Sequence, residues 1–347
     1  MKLYISETVR CDEKWFPILD SILLIVAQLR FTFAVDDVSN LLASEWVRSR
    51  KKIVAEIIMH SCQASSTDSL RHKASIIIDD DVRRGGVCDR DALRTKIHPL
   101  DAIIFLSTPY QIIVENEEFD GAFIFWMAKA LGFDKLNRAY RDGHFCFRHA
   151  GGKDSIARSG RIFKFGVWAR ADEGYARAFD HWLCAILDKD AKFPGDTPNK
   201  KIIEEADKYI PLVHELNKRS IESYIPVERL KKFDASESFL RKCRALETLT
   251  IDQRNHYHMK KGFRFDTTTT PTKDRYMGSS EISKEEKDLF SSIPDENWVL
   301  LMDGFGKRVA SIFNDIKHRP NANDPQLNSS LDKQELSKLF KEIYSRI

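Results

Sequence analysis

Four acidic positions in the middle of the chain have side chains suited to holding divalent cations: Glu115, Asp188, Asp190 and Glu222. Each follows a short segment that reads as a strand. Tyr110 to Val114 leads directly into Glu115, Trp182 to Leu187 ends in Asp188-Lys189-Asp190, and Pro211 to Leu216 leads through Lys218-Arg219-Ser220-Ile221 to Glu222. Donor sets made only of oxygen suit Mg²⁺ or Mn²⁺ and not zinc. Two such ions can activate a water and stabilise the leaving oxygen of a phosphodiester. Asp188 and Asp190 are spaced to point the same way at the end of an extended strand. A single acid after a strand is usually a solvated loop, so the weight rests on their order on successive predicted strands.

Phosphodiester chemistry also needs cations for the substrate phosphates. Lys218 and Arg219 precede Glu222 and are the candidates for a phosphate clamp, with a structural ion pair as the alternative. Lys153 follows Gly151-Gly152, whose backbone can approach a ligand closely. Lys189 lies between two candidate ligands and should alternate away from them. From Arg241 to Arg275 there are nine Lys or Arg against four Asp or Glu, a local balance of +5. Within that stretch Arg254, Lys260 and Lys261 are interleaved with His256, Tyr257, His258, Phe263 and Phe265, a mixture that suits phosphates and stacked bases. An ordinary helix with its cations outward has the same composition. His256 and His258 lack further partners at zinc-binding spacing.

The elements that must position these groups follow from hydrophobic periodicity. Strands are expected at Tyr110 to Val114, Phe145 to Arg148, His181 to Leu187 and Pro211 to Leu216, with helices at Phe123 to Leu131 and Ile202 to Tyr209. This alternation predicts an α/β region with a parallel sheet and right-handed crossovers, its functional groups gathered at the carboxyl ends of the strands. Residues 1–106 read as a mainly helical N-terminal domain, 107–230 as the sheet domain and 231–347 as a mainly helical C-terminal region. In the last of these, Trp298 to Ile316 and Leu331 to Ile347 look like amphipathic helices. Thr267 to Pro271 reads as a loop and Pro320 to Ser330 as a polar connector. Asp79-Asp80-Asp81 cannot share one face of either regular structure and reads as a solvated turn.

Composition bounds the alternatives. The chain has 347 residues, 42% hydrophobic and 31% charged, enough to bury a sizeable core, and its net charge of +3 leaves any basic surface local. Six scattered cysteines without a C-x-x-C motif point to a reducing cytoplasm rather than a disulfide framework. The apolar run Ile22 to Ala27 is too short to cross a bilayer, and no targeting segment is visible. Walker-type, Rossmann dinucleotide and G-x-S-x-G signatures are absent from the sequence. Asp188-x-Asp190 followed by Lys192 departs from the haloacid-dehalogenase phosphatase pattern.

The series V-E-N-E-E-F-D-G at Val114 to Gly121, the pair Gly151-Gly152, I-L-D-K-D at Ile186 to Asp190 and R-S-I-E-S-Y at Arg219 to Tyr224 together resemble the TOPRIM catalytic domain. More narrowly, they resemble the TOPRIM nucleases of the overcoming-lysogenization-defect type. The resemblance spans roughly Ser107 to Pro226. It implies a Rossmann-like TOPRIM sheet and Mg²⁺- or Mn²⁺-dependent cleavage of DNA, with RNA left open. Glu115, Asp188, Asp190 and Glu222 would be the metal ligands and Lys218 a further catalytic group. Lys153, Arg219, Arg254, Lys260 and Lys261 are the candidates for contact with DNA. The family often has E-G-x-x-D, whereas here Asn116 replaces the glycine and the acid is Asp120, so Glu118 and Asp120 compete for the accessory ligand role. Asn116 is acceptable there because Asn visits left-handed backbone more readily than most residues. The resemblance further implies a separate ATPase partner in bacterial anti-phage defence, leaves homo-oligomerisation open, and involves no membrane. The rival reading is a noncatalytic subunit whose TOPRIM-like fold binds DNA or its partner.

Overall fold

In the computed structural model, which describes residues 1–27, 31–67, 74–166, 178–264, 272–324, 327 and 330–347, the strands form two separate sheets. The first contains β1 (Lys2–Ile5), β2 (Thr32–Phe33), β3 (Ser75–Ile78), β4 (Val87–Asp89) and β5 (Arg94–Ile97), in the spatial order β2-β1-β3-β5-β4. Only the β4–β5 pair is antiparallel. Helices α1 (Phe16–Ala27), α2 (Lys52–Thr67) and α3 (Pro99–Ser107) share its core through Leu19, Ile22, Ile58, Ala102 and Phe105. The reading of residues 1–106 as helical therefore missed a sheet. Its strands are two to four residues long, too short for a period of two to stand out beside helical patterns. Asp80 accepts from Thr8 Oγ1 at 2.6 Å and Trp15 Nε1 at 3.2 Å, and Asp79 faces Lys96 at 3.4 Å.

The second sheet contains β6 (Tyr110–Val114), β7 (Phe145–His149), β8 (Leu183–Leu187) and β9 (Val213–Glu215), all parallel, in the order β7-β6-β8-β9. Every residue of β6 and β8 is buried, as central parallel strands covered on both faces require. Helices α4 (Glu117–Ala130) and α5 (Asp134–Arg141) link β6 to β7 and pack on the face that carries Ile112 and Val114. Helix α6 (Ile156–Phe165) links β7 to β8 and, with α7 (Lys200–Ala206), covers Ile113, Ala185 and Leu187 on the other face. The chain thus leaves β6 to one side and returns to β8 on the other. That reversal opens a crevice at the carboxyl ends of β6 and β8, where α/β sheets collect their ligands.

The expected strand at His181 starts only at Leu183. Phe179–Trp182 forms a 3₁₀ turn instead, and its Phe179 and Trp182 rings pack on Phe105, which ties this segment to the first core. C-terminal helices α8 (Glu237–Glu247), α9 (Ile251–His256), α10 (Lys284–Phe290), α11 (Asp295–Leu301) and α12 (Ser330–Tyr344) follow. The single helix expected from Trp298 to Ile316 is broken: α11 ends at Leu301 and a 3₁₀ helix occupies Lys307–Phe313, with Gly304 and Gly306 at positive φ between them. This region does not fold apart from the second sheet. Phe313 packs edge-on against Phe123 of α4, and Trp126 Nε1 donates to His318 O at 2.9 Å. Thr267 to Pro271 and part of the Pro320 to Ser330 connector lie outside the described residues. Among the described residues no helix is long and apolar enough to cross a membrane.

Candidate metal centre

Glu115 leaves the end of β6 immediately before α4. The helix starts there because Asn116 caps it, its Oδ1 accepting from Glu118 N at 3.0 Å and Phe119 N at 3.1 Å, with Glu117, Glu118 and Asp120 in the favourable first turn. Asn116 has φ −136°, so it serves as a helix cap and not as a left-handed turn residue. The cap also separates the two accessory candidates. Glu118 is exposed, whereas Asp120 turns back to accept from Asn116 N at 2.9 Å and senses the charge of Glu222.

Asp188 follows β8 directly and accepts from Ile221 N at 2.9 Å. Asp190 does not continue the strand. Its φ of +54° puts it in left-handed backbone, so the pair does not share one strand face as the spacing suggested. Non-glycine residues in this region are uncommon and concentrate at functional sites. The loop is held by Asn199, a buried residue that sequence reasoning missed. Its Nδ2 donates to Asp188 O at 2.8 Å, Lys189 O at 2.9 Å and Glu215 Oε1 at 2.8 Å. Asn199 stands among ordinary polar loop residues, and nothing in the sequence around it signals this role.

Glu222 lies in the 3₁₀ turn Ile221–Tyr224, and its side chain is wholly buried. Its Oε2 accepts from Ser220 Oγ at 2.6 Å, while Oε1 lies 2.9 Å from Lys260 Nζ without forming a hydrogen bond of good geometry. Lys153, from the turn after Gly151-Gly152, sits among the other acids. Its Nζ contacts Asp190 Oδ2, donates to Asp188 O at 2.8 Å and lies 3.7 Å from Glu115 Oε1. Both glycines have positive φ, +75° and +110°, so the turn that aims Lys153 is one that glycine adopts freely.

Five carboxylates therefore face one another with two lysines between them. Burial, then Glu222, Asp120, Glu115 and Asp190, push the Asp188 carboxyl well above the usual range. Burial and the charges of Asp120 and Asp190 raise Glu115 from 4.5 to about 7, against the pull of Lys153. Asp120 is raised too, first by burial and then by Glu222. Burial lowers Lys260, but Glu222, Asp188 and Asp120 outweigh it and hold the ammonium above its ordinary value. Among the described residues no cation lies within ion-pair distance of Asp188 or Asp120, and no three acids, His or Cys are arranged to hold a metal ion as they stand.

The other cations divide between two places. Lys218, expected as a phosphate clamp, instead pairs with Asp332 at 2.6 Å and donates to Ser223 O at 3.2 Å. Arg254 lines the same cavity of about 980 Å³ as Lys218, together with Tyr224 and Glu335. None of the five acids lines this cavity. Arg219 and Lys261 line a smaller cavity beside Asp190, whose backbone N donates to Arg219 O at 2.8 Å. Lys189 makes no ion pair among the described residues. Burial, followed by Arg219, Lys261 and Lys260, pushes His258 down to about 4, so this imidazole is neutral near pH 7.

No protein-family model, curated protein or solved structure matches the chain. The fold is α/β with mainly parallel sheets, compatible with a Rossmann-like arrangement.

Proposed function

We propose that the acid cluster is the Mg²⁺ or Mn²⁺ centre of a TOPRIM-type phosphodiesterase that cleaves DNA. The observation that carries this reading is the convergence of Glu115, Asp120, Asp190 and Glu222 on Asp188 at the switch point between β6 and β8. Carboxylates so placed repel one another, and only added positive charge or protons relieve them. The donor set fits a hard cation. It is all oxygen, and Glu115 Oε1 is buried without a hydrogen-bond partner, with Lys153 Nζ no nearer than 3.7 Å.

Glu115, Asp188 and Asp190 would hold one ion, and Glu222 with Asp120 a second. The chemistry such an ion supplies is activation of water and stabilisation of charge on the leaving oxygen. Glu115, whose proton affinity burial raises, would double as the general base in this scheme. Asn199 and Ile221 N fix the Asp188 loop, and Lys260 brings a positive charge from the C-terminal region to Glu222.

The family resemblance extends the proposal to an effector of anti-phage defence in the cytoplasm, acting with a separate ATPase because the chain has no P-loop of its own. One observation favours the rival, a noncatalytic DNA- or partner-binding subunit: Lys153 and Lys260 already neutralise part of the cluster. A plasmid-nicking assay with Mg²⁺, Mn²⁺ or EDTA separates the two. Metal-dependent nicking abolished by Glu115→Ala and by Asp188→Ala supports the enzyme. No cleavage and no divalent-ion binding, even with the partner ATPase present, supports the binding subunit.

A further inference from the structure

The cavity beside Asp190 measures about 290 Å³ and is lined by four cations, Lys192, Arg219, Lys261 and Arg264, against two acids, Glu281 and Glu286. Neither acid lies within ion-pair distance of Lys192, Arg219 or Lys261, although Glu286 still acts on Arg219 from farther off. Glu286 is buried and its carboxylate accepts from Tyr276 Oη at 2.6 Å, while Glu281 is exposed. Arg264 is engaged by Asp303 at 2.7 Å. Among the described residues Lys192, Arg219 and Lys261 have no carboxylate within ion-pair distance, and the Arg219 side chain makes one hydrogen bond, to His256 O at 2.9 Å. Three cations with unused donors, one of them largely enclosed, are the complement of an anion with several acceptor oxygens.

The backbone couples this cavity to the acid cluster at two points. Asp190 N donates to Arg219 O, so a candidate metal ligand and the deepest cation of the cavity are joined through the main chain. Lys260 and Lys261 are adjacent in sequence, yet the first faces Glu222 and the second faces the cavity. The turn that parts them depends on Gly262, at φ +64°. A Cβ there would lie 2.2 Å from Leu301 O and 2.4 Å from Gly304 N, so the two lysines are aimed by a turn that only glycine fits.

We infer that this cavity holds a backbone phosphate of a nucleic-acid strand, next to the phosphodiester presented to the acid cluster. The inference deepens the proposed function and rests on it for the role of the acids. DNA and RNA share the phosphodiester, and sequence plays no part in this contact.

The test is fluorescence anisotropy with short fluorescein-labelled single-stranded DNA and RNA, in Ca²⁺, over a range of salt. Lys192→Glu and Lys261→Glu change exposed side chains and should leave the fold intact. Each should weaken binding roughly tenfold and lower the slope of log affinity against log salt by about one. Lys52→Glu, at a lysine whose side chain is 90% exposed in the N-terminal half, serves as the control for overall charge. Losses confined to the cavity variants, on DNA, on RNA or on both, support the inference. Unchanged affinity in the double variant, or an equal loss in Lys52→Glu, overturns it. Mn²⁺ binding measured by calorimetry on the same proteins keeps the two readings apart. If Mn²⁺ does not bind while the cavity variants still lose the oligonucleotide, the cleavage reading fails and the phosphate site stands.

Discussion

Lys260 and Glu222 meet at 2.9 Å, an ammonium from the C-terminal region against a wholly buried carboxylate in the turn that follows β9. The contact makes the acid cluster depend on a part of the chain that lies outside the family resemblance. Breaking a buried pair leaves the surviving charge uncompensated. Because the Lys260 side chain is 36% exposed, water softens the loss, and Lys260→Met should cost about 1–3 kcal/mol in denaturant unfolding. If the acids bind divalent cations, Mn²⁺ should restore part of that stability to the variant. A variant that is destabilised and indifferent to Mn²⁺ would count against the metal centre.

Glu115 gives a pH dependence with a defined sign. Its proton affinity is raised from 4.5 to about 7 in the folded chain, so between those values the native state binds more protons than the unfolded state. Stability must therefore fall as pH rises through this window, with the full penalty present above about pH 7 and at most about 3 kcal/mol in size. Asp188 is raised as well and acts in the same direction. Relative to Glu115→Gln, the wild-type protein should lose stability between about pH 5 and pH 8, and saturating Mn²⁺ should flatten the difference. Unfolding curves across that range measure it, and a difference that stays constant would refute the assigned environment of Glu115.

What could be read in advance follows from where the signal lies. Strands β6 and β8 are buried on both faces, so they appear as runs that are apolar but for Gln111, and the acids that follow them are conspicuous. Tyr110 to Val114 was located to the residue, with Glu115 after it. The first sheet was not legible, because strands such as Thr32–Phe33 are too short to carry a period. Lys153 and Lys260 were seen as basic residues and assigned to DNA, but their insertion among the acids is a tertiary fact that local spacing does not encode. Asn199 and the left-handed Asp190 belong to the same class. Their roles arise from loop closure around Asp188 and leave no composition signal.

Lys153 competes for the positions a divalent cation would take, since its ammonium lies between Asp190 and Glu115. Removing a like charge from within a few ångströms of a bound cation should strengthen that cation's binding. Lys153→Met is expected to raise Mn²⁺ affinity roughly tenfold by calorimetry. The hydrogen bond from Lys153 Nζ to Asp188 O acts the other way, by holding the loop in place. Weaker Mn²⁺ binding in the variant would show that this positioning contribution is the larger and that Lys153 is an organising residue.

Lys218 provides the contrast that separates the acid cluster from ordinary ion pairing. It stands two residues after β9's following leucine and four before Glu222, yet its ammonium pairs with Asp332 at 2.6 Å and lies 4.8 Å from the centre of the Tyr224 ring. Both side chains of the pair are less than one-fifth exposed, at 13% and 17%. Loss of the lysine should therefore cost stability, on the order of 1–3 kcal/mol, through the lost ion pair with Asp332 and the lost ring contact. Mn²⁺ affinity should not change, because the pair touches none of the five acids. Thermal unfolding and calorimetry on Lys218→Met and Glu222→Gln make the comparison: the first should lose stability and keep the metal, and the second should lose the metal. Reduced Mn²⁺ affinity in Lys218→Met at a temperature where it is fully folded would return this lysine to the catalytic centre.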